Sequence, residues 1–102
     1  MKIDISREQD SSTIYVDGNM KNLENTQNLI DIIENIIKDA NQIYLKINIK
    51  NSLTVTSTFI GFLIHKINFN NIDLNIGVYD DRLYDLFDML ELIETFNVEK
   101  II

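Results

Sequence analysis

Apolar and polar residues alternate with two different periods along the chain, and the switches between them mark out its elements. Lys2 to Ser6 alternates with Ile3 and Ile5 on one side, and "TIYVD" (Thr13 to Asp17) is a short β-rich run ended by Gly18, so the two read as an opening hairpin. From Asn25 the period lengthens: Leu29, Ile30, Ile33, Ile36 and Ile37 recur at helical spacing, which predicts an amphipathic helix ending near Asp39. "QIYLKINI" then alternates again, with Ile43, Leu45, Ile47 and Ile49 on a dry face and Tyr44, Lys46 and Asn48 on a wetter one. Phe59, Ile60, Leu63, Ile64 and Ile67 form a second helical stripe to about Asn68, where "NFNN" breaks it. "DLNIGVY" (Asp73 to Tyr79) is another alternating strand, and Leu83, Leu86, Phe87 and Leu90 mark a third helix with Asp80 or Asp81 as its N-cap.

The order β, β, α, β, α, β, α, with "TFNVEKII" as a last strand or short extension, is that of right-handed crossovers onto a largely parallel sheet. The expected fold is α/β: a four- to five-stranded mixed sheet with three helices mainly on one face. "QIYLKINI" and "DLNIGVY" are expected to be parallel neighbours.

With 102 residues and 45% hydrophobic content, a single domain spanning residues 1–102 is expected to bury a real core. The absence of cysteine removes disulfides, thiolate zinc sites and cysteine nucleophiles together. "MKIDISREQD" has no apolar stretch that would serve as a signal peptide, and "FIGFLI" is too short to span a bilayer, so a cytoplasmic protein without membrane insertion is expected. A formal charge of −7, with Lys and Arg scattered rather than striped, disfavours nucleic acid and points to a protein partner.

Catalytic chemistry finds little to work with. His65 is the only histidine and lies within the second helical stripe, where a base would still need an oriented nucleophile. Asp80, Asp81, Asp85 and Asp88 lack the spacing and the glycine of an EF-hand loop, and read as a helix cap with solvated neighbours. Gly18, Gly61 and Gly77 are too dispersed for a phosphate-binding loop. No enzyme, cofactor or metal is expected.

The hydroxyl cluster Thr54, Thr56, Ser57 and Thr58 stands just ahead of the second helix. Capping accounts for part of it, since Ser and Thr side chains accept bonds from the unpaired N–H groups of a first turn. A helix N-terminus is also a favourable place to carry a phosphate. Here the chain resembles the STAS domains, whose founding members are the bacterial anti-sigma factor antagonists. The resemblance covers most of the chain and includes "RLYDLFDMLELIETFNV", where Leu86, Phe87, Leu92 and Phe96 fall into the places of the family's Leu-Phe pair and terminal Phe. The family motif is Asp-Ser-Ser or Asp-Ser-Thr followed by Gly-Leu-Gly. With Gly61 as its second glycine, Thr56 stands at the aspartate, Ser57 at the phosphorylated serine, Thr58 at the next hydroxyl, Phe59 at the first glycine and Ile60 at the leucine.

The resemblance implies a regulatory protein-binding module acting in transcription. It would bind an anti-sigma factor serine kinase or another regulatory protein through Val55, Thr56, Ser57, Thr58 and Phe59, with Ser57 as the phosphorylation site. The alternative is a constitutive STAS adaptor subunit, for example one bound to the ATPase of a lipid-transport complex.

Overall fold

The structure, a computed structural model, describes residues 1–40 and 44–101. Five strands form one sheet in the order β1-β2-β3-β4-β5: β1 Lys2–Arg7, β2 Ser11–Asp17, β3 Tyr44–Lys50, β4 Asp73–Val78 and β5 Val98–Lys100. β1 and β2 are an antiparallel hairpin, and every later pairing is parallel, including β3 with β4. Three helices connect the parallel strands: α1 Leu23–Ala40, α2 Ser57–Asn70 and α3 Asp81–Met89. Each connection runs from a strand to its next neighbour in the same direction across the sheet. Right-handed crossovers therefore lay all three helices on one face.

The alternation in the strands is the reason this face is dry. Ile14 and Val16, Leu45, Ile47 and Ile49, Leu74, Ile76 and Val78 all share it and are buried, under Leu29, Ile33 and Ile36 of α1, Phe59 and Leu63 of α2, and Leu83 and Phe87 of α3. Lys66 Nζ meets Glu34 at 2.9 Å, which ties α2 to α1. "TFNVEKII" does form a last strand. A turn through Asn97, in the left-handed region at φ 48°, aims it back along β4, and Asn97 Nδ2 donates to the Leu74 carbonyl at 2.8 Å. Phe96 then packs edge-on against Phe87, with ring centroids 6.1 Å apart.

The boundaries shift for local reasons. α1 begins at Leu23 rather than Asn25, because the Asn22 side chain accepts from the Asn25 N–H at 2.9 Å and so caps it earlier. α2 runs to Asn70 rather than Asn68, because Asn71 adopts the left-handed C-cap geometry at φ 55° that asparagine tolerates. Gln42 and Ile43 of the expected third strand, and Ile102 of the last, lie outside the described residues.

Asn48 departs more from expectation. It lies on the wetter face, as the alternation requires, yet it is buried, with no partner for its Oδ1 among the described residues. The chain after β5 accounts for this. The Ile101 N–H donates to the Val78 carbonyl at 2.8 Å, and the Ile101 side chain lies over Gly77, filling the space that a Cβ at Gly77 would need, with the Asn48 amide alongside.

Candidate functional site

The carboxyl ends of β2 and β3 open into two loops that are sewn together. Gly18 N–H donates to the Lys50 carbonyl at 2.9 Å, and Asn51 Nδ2 donates to Asp17 Oδ1 at 2.7 Å. Leu53 N–H reaches Asn19 Oδ1 at 3.0 Å. The buried Ser52 hydroxyl accepts from Met20 N–H at 3.3 Å and donates to the Thr54 carbonyl at 2.8 Å. Gly18 has φ +119°, and a Cβ there would press on the Met1 backbone, so the glycine is what lets the chain leave β2 in this direction. These contacts hold the hydroxyl turn by its backbone and leave its side chains to be assigned one by one.

Thr56 is the N-cap of α2. Its extended backbone (φ −78°, ψ 151°) brings Oγ1 to accept from Phe59 N–H at 3.2 Å. The same oxygen lies 2.7 Å from Thr26 Oγ1 on α1, and Thr26 donates its own hydroxyl proton to the Asn22 carbonyl at 3.0 Å. Thr26 spends its one proton on Asn22, so the short contact runs from Thr56 to Thr26, ahead of the weaker Met20 Sδ acceptor 3.9 Å from Thr56 Oγ1. The first turns of α1 and α2 are thereby joined, and Thr56 is committed to the interior.

Ser57 and Thr58 are different. Both are exposed, and neither hydroxyl enters a hydrogen bond within the described residues. Ser57 is the first residue of α2, and no acidic side chain stands in that helix's first turn, so its positive end is uncompensated. Gly61, one turn further on, is exposed, with open space where a Cβ would be. Val55 and Phe59 are buried, and they hold the turn from beneath rather than line its surface. Phe59, at the place of the motif's first glycine, therefore adds no bulk outside.

Three residues escaped the sequence pattern. Thr26 sits among polar residues of α1, and only the approach of the two helix starts gives it a role. Leu23, which opens α1, and Leu53, on the loop after β3, are exposed aliphatics, at 70% and 44%. Their signal was a large apolar residue in otherwise polar stretches, "KNLENT" and "KNSLT".

The other candidates lie apart from this turn. His65 is exposed and stacks near Phe69 with ring centroids 4.7 Å apart. Asp80 caps α3, accepting from Arg82 N–H at 2.8 Å, while Asp81, Asp85 and Asp88 are exposed. The Arg82 guanidinium, bound to Asp80 at 2.9 Å and 3.1 Å, and the Arg82 N–H hold the Asp80 carboxyl below its ordinary range. Among the described residues no three His, Cys, Asp or Glu are grouped to hold a metal, and no helix is long and apolar enough to cross a membrane.

No family model matches the chain, and no curated protein matches it in sequence. Solved structures do. The anti-sigma factor antagonist SpoIIAA, in its unphosphorylated form, superposes with a TM-score of 0.77 at 8% identity, over 99% of this chain and 89% of that one. A five-stranded mixed sheet with three helices on one face, superposing on that antagonist over nearly its whole length, gives this chain a STAS-like fold.

Proposed function

We propose that the chain is a non-enzymatic regulatory module of the anti-sigma factor antagonist kind. Its unphosphorylated form binds an anti-sigma factor kinase at the turn before α2, and phosphorylation of Ser57 ends the complex. The observation that carries this reading is the division of labour between adjacent hydroxyls: Thr56 is consumed by the cap and by Thr26, while Ser57 is exposed, unengaged and at the start of a helix without first-turn acids. A phosphate there adds about −1.5 to −2 charges where N–H groups and the helix dipole favour them, so the domain stays folded. The effect falls on the partner, where a like-charge contact costs several kcal/mol. Thr54, Ser57, Thr58 and Gly61, with Leu23 and Leu53 beside them, form the contact surface, while Val55, Thr56 and Phe59 support it from within.

The test starts from a partner recovered by pull-down. Incubation with that partner and ATP, followed by mass spectrometry, is expected to place phosphate on Ser57. Calorimetry is expected to show Ser57→Ala binding like wild type and Ser57→Asp losing the complex by several kcal/mol, with a melting temperature within a few degrees. A Ser57→Ala variant weaker by about 0.5 to 1.5 kcal/mol, with no phosphate acquired, would instead make the hydroxyl a permanent contact, as in a constitutive adaptor. Undiminished binding by Ser57→Asp would remove the turn from the interface.

A further inference from the structure

The two edges of the sheet are unequal. β5 is three residues long and carries Glu99 and Lys100, a short charged edge of the kind that resists further pairing. β1 is twice that length, pairs with β2 without interruption from Lys2 to Arg7, and has no proline or bulge. Beside it, Ile5, Arg7, Ile32, Asn35 and Ile36 line a cleft of about 150 Å³ between the strand and α1, and Ile5 is 46% exposed.

The hairpin hydrogen bonds show which backbone groups this edge offers. Glu8 N–H donates to the Ser11 carbonyl at 2.8 Å, so Glu8 and Ser11 are a hydrogen-bonded pair. Such pairs alternate along an antiparallel ladder. Ser6, Asp4 and Lys2 therefore bond inward to β2, and the N–H and C=O groups of Ile3, Ile5 and Arg7 point outward. Their side chains lie on the helix face, because Ile5 is opposite the buried Ile14 and Ile3 is opposite the buried Val16.

We propose that β1 is a homodimerisation edge, pairing antiparallel with β1 of a second copy about a two-fold axis at Ile5. In this register Ile5 meets Ile5 and Ile3 meets Arg7, so all the outward backbone groups of Ile3, Ile5 and Arg7 find partners. The two Ile5 side chains close the clefts on the helix face. On the other face Asp4 is opposite Ser6, and Lys2 is opposite Glu8, a complementary pair. The neighbouring registers fail on charge: a two-fold at Asp4 sets Asp4 against Asp4, and one at Ser6 sets Asp4 against Glu8. Self-complementarity at one register is what a two-fold interface requires, and it singles out a second copy over an unrelated strand. The product is a continuous ten-stranded sheet. Each copy brings a formal charge of −7, so screening salt favours the dimer.

Sedimentation from micromolar to millimolar protein is expected to show the mass rising from 11.9 kDa toward twice that value, more readily at higher salt. Ile5→Lys, at an exposed edge position, is expected to stay monomeric with an unchanged melting temperature. Register is read by crosslinking, which the cysteine-free chain makes clean. Asp4 and Ser6 of the second copy form a pair not bonded through the backbone, with Cα atoms about 4.5 Å apart, within disulfide reach. Mixing Asp4→Cys with Ser6→Cys protein under mild oxidant is expected to give a mixed disulfide dimer, with little from either variant alone. A wild type that keeps the monomer mass throughout, or a crosslink formed by Asp4→Cys alone, would overturn the proposal.

Discussion

α2 and α3 both start at the carboxyl ends of neighbouring strands, β3 and β4, yet their first turns are finished in opposite ways. Both helices set a capping side chain immediately before the helix and a buried anchor at its third residue, Phe59 in α2 and Leu83 in α3. In α3 the cap is a carboxylate, Asp80, followed by Asp81 and clasped by Arg82. The positive end of α3 is therefore neutralised within its own chain. In α2 the cap is a hydroxyl, and no acid follows. The dipole of α2 is left for something else to answer. The same fold thus offers one closed helix end and one that would welcome an added negative charge, and it is the open one that bears an unengaged serine.

The largest effects are expected at the anchors the two ends share. Phe59→Ala should cost about 3–5 kcal/mol and Leu83→Ala about 2–5 kcal/mol, read from urea unfolding, because both side chains are fully enclosed. A loss at Phe59 below about 1 kcal/mol would mean that its ring is not an anchor, and would return it to the surface a partner touches.

Phe59 belongs to the helical stripe with Leu63, and its burial follows that stripe rather than the partner-binding place the resemblance implies for it, while the alternation in "YLKINI" and "DLNIGV" announced two half-buried strands. Periodicity reports which side of an element is dry. It does not report what remote residues do to the other side. Asn48 lies on the wetter face, as the alternation requires, but its burial depends on Ile101 reaching over Gly77, a meeting of three positions far apart in sequence. The hydroxyl turn shows the same division. The position of Ser57 at a helix start was legible in "TSTF", whereas the loss of Thr56 to Thr26 follows from α1 and α2 starting side by side. The choice between the two threonines and the serine was therefore beyond any local pattern.

A middling effect distinguishes the two adjacent hydroxyls. Thr56→Val removes the oxygen that serves Phe59 N–H and Thr26, and should cost about 1–2 kcal/mol. Ser57→Ala removes a hydroxyl that bonds to nothing in the described chain, and should stay within about 0.5 kcal/mol of wild type. Chemical denaturation of the pair decides it: equal losses would mean that Ser57 shares the cap and is not free for modification.

The smallest effect separates the caps by charge. Arg82 holds the Asp80 carboxyl below its ordinary value, first through its guanidinium and then through its N–H. A folded-state pKa below the unfolded one means that Asp80 contributes stability above about pH 4, the unfolded value, and loses it as pH falls further through the folded one. Thr56 has no proton to gain over that range, so the α2 cap is indifferent to acid. Asp80→Asn keeps a capping oxygen but removes the charge, so at low salt it should melt a degree or two below wild type near neutral pH. The gap should close as pH falls through the folded-state value, which lies below the unfolded one, because the wild-type carboxyl then becomes neutral itself. The gap between Thr56→Val and wild type should not move over the same range. If both gaps closed together on acidification, the two helix ends would share one electrostatic fate, and the vacancy for negative charge at Ser57 would not be special to α2.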